Sequence, residues 1–247
     1  MAFLFQVEVT KDDVAEPAHR AIPSKIAAAN SLLFTAIIKG DLEGVKYALS
    51  NGAEIEMRQR EKFVESYPPL SFTPLLYAAW KGYEDVTKFL IEKGADIHAL
   101  LNEDGNSLLD LAAGEGHANV IRLLLENGAK DEAKDGWALR SAVYGSHFDA
   151  AKVLIDAGAS LEARDMVISR TTLMLAVIGD NKKSGIDLDI VKLLIESGAD
   201  VNAKDKGGTS VLQLANQFLS YAKEASDHVY TEQLQQVIEL LKQHGAE

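Results

Sequence analysis

Six Gly-Ala dipeptides recur along the chain, each closing a leucine-rich stretch: Gly52-Ala53, Gly94-Ala95, Gly128-Ala129, Gly158-Ala159, Gly198-Ala199 and Gly245-Ala246. Five follow an apolar run and a short polar one, as in Leu90-Ile91-Glu92-Lys93-Gly94-Ala95 and Leu194-Ile195-Glu196-Ser197-Gly198-Ala199, and the sixth ends the chain. Glycine after such a run is what a helix needs in order to stop in a left-handed residue. The intervals between successive pairs are 42, 34, 30, 40 and 47 residues. A unit of this length, repeated with insertions, excludes a single globule and requires a stacked array in which each unit buries its apolar face on its neighbours.

The second unit is the most regular. Thr73 suits a helix N-cap, and Pro74 suits the first helical position, where a missing N–H loses nothing. Leu75, Ala78 and Ala79 form one face, with small residues that admit a neighbouring helix. Gly82 permits the turn, and Val86, Phe89, Leu90 and Ile91 give the second helix its apolar stripe before Gly94 ends it.

Thr73-Pro74-Leu75, the Ala78-Ala79 pair, the Gly82 turn, Leu90-Ile91 and the Gly94-Ala95 close resemble the ankyrin repeat. Partial matches follow in the other units, including Ala112-Ala113 with Gly116-His117, and Thr171-Thr172-Leu173 with Leu194-Ile195. The resemblance implies an all-α solenoid of helix-turn-helix units with short β-hairpin or loop fingers. It divides the chain into an N-terminal extension or cap, 1–29, and a repeat domain, 30–247. The six units fall at about 30–58, 72–99, 106–133, 136–165, 170–205 and 208–247.

The departures carry their own expectations. The His of the family's opening tetrapeptide is replaced by Phe34, Leu76, Asp110, Arg140, Met174 and Gln213, so the array should lean on apolar packing rather than on that residue's hydrogen bonds. Ser146 stands where the inter-helix glycine belongs and Gly145 lies one residue early, which predicts a shifted turn. Ser24 reads as an N-cap for a helix that either runs into the first unit or caps it, and Gln6-Val7-Glu8-Val9 alternates like a short strand. Insertions lengthen the first finger from Arg58 to Ser71 and the fifth-unit loop from Gly179 to Asp189. The sixth unit needs longer helices or a third one.

The net charge of −12, from 37 acidic and 25 basic residues, argues against nucleic acid and anionic membranes and favours a basic partner. There is no cysteine, hence no disulfide and no thiolate chemistry. No run approaches the length of a membrane span, and the apolar start at Ala2 to Phe5 is too short for a signal peptide. These features read as a soluble, cytoplasmic, monomeric protein, although export by a signal-less route leaves no trace in a sequence.

No catalytic motif or cofactor fingerprint is present, and the expected cofactor and metal content is none. Asp180 to Asp189 has Lys182 at the third position of what would be a calcium loop. His117 and His147 read as structural turn residues, and Asn202 as a tie within its finger.

In the ankyrin family the last turn of each first helix faces the concave side. Projecting the units onto that position gives Ile38, Trp80, Gly114, Tyr144 and Ile178, with Tyr77 and Lys81 beside them. Large apolar residues in such a row are candidate anchors for a protein partner, and Arg58 and Arg60 of the first finger are candidate rim contacts. The competing reading is that Trp80 and Tyr144 pack on each other or under a finger. Trp137 reads as packing. The implied function is non-catalytic protein binding. An inhibitor or immunity-type protein, a scaffold, or a bacterial effector that sequesters a target all fit the same pattern.

Overall fold

The structure, a computed structural model, describes residues 17–60, 71–101, 105–130, 136–179 and 185–247, with side chains from Lys25 onward except those of Gln59 and Arg60. The expected strand at Gln6 to Val9 lies outside the described residues. So do the tip of the first finger, 61–70, and residues 180–184 of the fifth-unit loop.

Twelve helices among the described residues form six antiparallel pairs: α1 (Pro17–Lys39) with α2 (Leu42–Ser50), α3 (Pro74–Lys81) with α4 (Glu84–Glu92), α5 (Leu108–Gly114) with α6 (Ala118–Glu126), α7 (Trp137–Tyr144) with α8 (Phe148–Asp156), α9 (Thr172–Ile178) with α10 (Leu188–Glu196), and α11 (Val211–Glu224) with α12 (His228–Gln243). First helices pack on first helices and second on second, so two helical layers run the length of the array. One continuous core follows, from Leu33 and Ile37 through Leu90, Leu124, Leu154 and Leu194 to Leu241.

Local chemistry accounts for the repetition. Each Gly of the six Gly-Ala pairs takes a positive φ, from 85° to 97°. Each following Ala then donates its N–H to a carbonyl five residues back, from Ala53 to Ala48 and from Ala95 to Leu90 through to Ala246 and Leu241. This is the Schellman closure, and it satisfies carbonyls that a helix end otherwise leaves unpaired. Thr73 accepts from Leu76 N with Pro74 at the helix start, and Ser107 with Asp110 and Ser210 with Gln213 form reciprocal capping boxes. Each such cap contributes about 1 kcal/mol.

Two expectations are corrected here. α1 is unbroken through Pro23 and Ser24, so Ser24 is not an N-cap and no break marks residue 30. Pro23 is the seventh residue of that helix, where it removes only one intrahelical hydrogen bond. The alanines beyond it favour the helix, and Ala29, Leu33 and Phe34 anchor its C-terminal half in the core. The fourth-unit turn is not shifted either. Ser146 itself adopts φ 56°, Gly145 stays at −81°, and α8 starts one residue after His147 just as α6 starts after His117.

The fingers are short. β1 (Gln59–Arg60) pairs antiparallel with β2 (Ser71–Phe72), and single bridges join Arg164 to Thr171 and Lys204 to Ser210. The sixth unit resolves into two long helices of 14 and 16 residues, with no third between them.

Candidate partner-binding surface

The row of first-helix ends is also where successive units are fastened. Tyr83 Oη donates to the Ile38 carbonyl at 3.2 Å, His117 Nε2 to Trp80 O at 3.1 Å, His147 Nε2 to Gly114 O at 3.1 Å, and Tyr230 Oη to Ile178 O at 2.6 Å. In the first three cases the ring of one unit lies flat against the turn glycine of the unit before it. A Cβ on Gly82 would sit 2.4 Å from the His117 ring, and one on Gly116 2.6 Å from that of His147. His117 and His147 are therefore fastenings, as turn residues. At the junction of units four and five the pattern stops. The equivalent residue is Asp187, whose carboxylate caps α10 instead, and among the described residues nothing donates to Tyr144 O. A cavity of about 420 Å³ lies there, lined by Ser146, Ile186, Asp187, Leu188, Asp189 and Lys192.

The fingers are fastened too, so hydrogen bonds between fingers add to the apolar packing of the helices. Glu56 accepts from Asp96 N at 2.7 Å, and its counterpart Glu162 accepts from Asp200 N at 2.8 Å. Arg58 bonds Ser71 O and Leu100 O, and its counterpart Arg164 bonds Ser169 O and Lys204 O. Asn202 bonds Gly245 O and receives Glu247 N, which ties the chain's end to the fifth finger.

The eight candidate contacts divide accordingly. Tyr144 is 53% exposed and Ile38 41%, so both stand free on the row. Ile178 is half-buried against the core. Trp80 is half-buried as well: its ring stacks on Phe72 at 5.2 Å, Lys81 Nζ lies 3.5 Å over it, and its indole N–H donates to Glu115 at 3.2 Å. Its ring neighbours are Phe72 and Tyr77, not Tyr144. Tyr77 is a correction. At 6% exposure it is interior, wedged edge-on between Phe34 and Phe72 and covered by Lys81 one helical turn on, whose Nζ lies 5.8 Å from its ring. Arg58 is exposed, and its guanidinium also donates to two backbone carbonyls that fasten the finger. Arg60 lies in β1, and its side chain is outside the described residues.

Two features went unread in the sequence. A cavity of about 510 Å³ opens beside Tyr144, between α5, α7 and α9, lined by Gly114, Trp137, Arg140, Ser141, Tyr144 and Leu175. Trp137 is thus a wall residue rather than packing alone, and its ring lies 5.4 Å from the Arg140 guanidinium. The second feature is the fourth finger, which carries Met166, Val167 and Ile168 into solvent, Met166 at 90% exposure. This tip is held, not loose. Asp165 Oδ1 accepts from Val167 N and Ile168 N, Asp165 Oδ2 from Arg170 N, and Lys206 N reaches Ile168 O. Burial works to raise the Asp165 carboxyl, but those three donors and the Arg140 charge outweigh it and hold its pKa below the ordinary value. The only sequence signal for the tip was three apolar residues in succession at a place where a turn should be polar.

Among the described residues no helix is long and apolar enough to cross a membrane, and no cluster of three or more metal-ligating side chains occurs.

Comparison with known proteins agrees with the geometry. The family model described as ankyrin repeats in many copies matches residues 33–91 and 75–125, and the single ankyrin repeat model matches 169–206. An ankyrin repeat and KH domain-containing protein of Caenorhabditis briggsae is 31% identical over 140 residues, covering 55% of this chain and 5% of that protein. The nuclear factor NF-kappa-B p105 subunit of Gallus gallus is 34% identical over 115 residues, 44% of this chain and 12% of that one. The chain thus spans only a small fraction of the length of these curated relatives. Among solved structures, the ankyrin repeat domain of Bcl-3 superposes with a TM-score of 0.66 at 27% identity, over 87% of this chain and 86% of that one.

Proposed function

The chain belongs to the ankyrin-repeat family, and from that premise we propose that it is a non-catalytic protein-binding module whose contact surface is the row of first-helix ends around Tyr144. The observation that carries this reading is Tyr144 itself. It is a large ring with half its surface in water, at the end of a helix whose other side is core, on the rim of a cavity walled by Trp137, Arg140 and Leu175. An exposed aromatic on a rigid base loses little conformational freedom on binding, which is the character of an interface anchor. Ile38 extends the same row, and Lys81 and Glu115 around Trp80 supply a polar edge. Domain limits of 1–29 and 30–247 fit this reading best if the first part of α1 serves as a lead-in to the array.

The test is capture of binding proteins from source lysate by the whole chain, with mass spectrometry, in wild type and in Tyr144→Ala. For the captured partner, Tyr144→Ala should weaken affinity by at least about 2 kcal/mol and leave stability within about 0.5 kcal/mol. Unchanged affinity would overturn the reading. The net charge of −12 supports one narrower version, an inhibitor that masks a basic target. In that version association slows steeply as salt is raised.

A further inference from the structure

Arg140 is out of place in the interior. It stands at the position occupied by Phe34, Leu76 and Met174 in other units, and it is only 8% exposed. Its guanidinium makes no hydrogen bond to any described residue, and its Nε is sealed from solvent without a partner. Burial pulls its pKa below the ordinary arginine range, and the charge of Asp165 opposes that. Yet Asp165 forms no ion pair with it among the described residues, and its carboxylate is held by backbone N–H groups of the fourth finger. Only Nε is sealed: the two Nη nitrogens have no acceptor among the described residues and are left to the cavity that Arg140 lines, where a cation without its own acceptor is disfavoured in an interior position. The array could have avoided that cost with the leucine or methionine it uses elsewhere.

The surroundings say what would complete the site. Arg140 lines the cavity of about 510 Å³ whose other walls are the rings of Trp137 and Tyr144 and the side chain of Leu175. The floor is open because Gly114 has no side chain. A Cβ there would meet only Ser141, at 3.9 Å, whereas the equivalent position in the second unit carries Trp80. One cation among apolar walls suits a single negative charge on an apolar stem. A phosphate dianion would bring a second negative charge, with Arg140 the only cation among the described lining residues, into a protein of net charge −12.

We propose that this cavity receives an acidic side chain of the bound protein, a glutamate whose carboxylate pairs with Arg140 while its methylenes lie between Trp137 and Tyr144. The inference rests on the reading of this face as a protein-binding surface. It adds that the partner, whatever its overall charge, presents one carboxylate at the centre of the contact.

The whole chain is titrated with N-acetyl-glutamate methylamide, with the isosteric N-acetyl-glutamine methylamide, and with inorganic phosphate. The Arg140 Nε–H and Trp137 indole N–H resonances report binding. The glutamate probe should give a saturable shift at both, at least about tenfold stronger than the glutamine probe, with phosphate ineffective. Arg140→Gln should abolish the response and leave the melting temperature unchanged or higher, since it removes an unpaired buried charge. Gly114→Leu, which fills the floor and leaves Arg140 in place, should abolish it as well. Equal response to glutamate and glutamine, stronger response to phosphate, no saturable response, or a response that survives Gly114→Leu each overturn the proposal. A markedly lower melting temperature in Arg140→Gln also does so, by assigning Arg140 to the scaffold. The two readings fail separately. A captured partner weakened by Tyr144→Ala but not by Arg140→Gln overturns only the carboxylate site. A specific glutamate response with no effect of Tyr144→Ala on a captured partner overturns only the protein-binding surface as drawn.

Discussion

Ser146 shows how a single residue records what its neighbour does. It holds φ 56°, a region where a side chain with a Cβ costs about 1–2 kcal/mol. The other inter-helix turns in the first three units use Gly40, Gly82 and Gly116, each covered by a ring of the following unit, which leaves no room for a Cβ. No ring covers Ser146, so only the backbone strain disfavours a side chain there. Ser146→Gly should therefore raise unfolding free energy by about 1 kcal/mol, read as a higher urea midpoint with an unchanged slope. A lower midpoint would overturn this, by showing that the hydroxyl stabilises the turn more than the backbone strain disfavours it. The same scale shows where the sequence misleads. Trp80 and Tyr144 are equivalent by spacing, yet Trp80 has Phe72 beneath it and Lys81 above it. Truncating Trp80 removes packing as well as surface, which makes Tyr144 the cleaner probe of binding. What separates the two is Phe72, brought in by the first finger, and no spacing rule places a finger residue under a helix.

Among the elements, α12 does the most beyond its own unit. Its Tyr230 reaches back 52 residues to Ile178 O, and Gln233 forms a two-way amide clamp on Ile186, donating to its carbonyl and accepting from its N–H, each at 3.1 Å. The long last unit thereby holds the near end of the fifth-unit loop. Burial, with the Asp227 charge adding to it, pushes the Tyr230 phenol up to about 12. A phenol raised above its unfolded value of about 10 contributes stability that is present in full below pH 10 and is lost as pH rises toward 12. Tyr230→Phe should cost about 1 kcal/mol at neutral pH and remove that part of the alkaline decline, which pH-resolved urea melts would show. An alkaline decline identical in both proteins would put the titration elsewhere. The helices themselves were legible in the sequence, because periodicity, caps and glycines specify them locally. The fasteners between fingers were present as letters, Glu56 with Arg58 and Glu162 with Arg164, but their targets lie about 40 residues away and become visible only in three dimensions.

At the scale of the molecule, the repeat count and the face that carries Tyr144 followed from aligning the six Gly-Ala marks, since a stacked array turns sequence equivalence into spatial equivalence. The sequence marks Arg140 as a departure from the repeat but not as a cavity wall, because the cavity depends on Gly114 and Leu175 from flanking units. The same nearest-neighbour logic governs how the array comes apart. Stability in a linear array is a sum of unit terms and junction terms, and a weak junction divides the chain into blocks that open separately. Between its helices the junction of units four and five has lost both its ring fastening and its turn glycine, and among the described residues only the finger bonds of Glu162, Arg164 and Ile168 tie the two units there. Amide hydrogen exchange under mildly destabilising conditions should therefore resolve two groups, one covering α1 to α8 and one covering α9 to α12, with different opening free energies. A single shared value for all twelve helices would refute this. The Arg140 cavity is walled by helices from both sides of that junction, so whatever fills it bridges the two blocks. Occupancy would then act as a splint, raising the opening energy of the less stable block toward that of its neighbour and making a segmented array unfold as one.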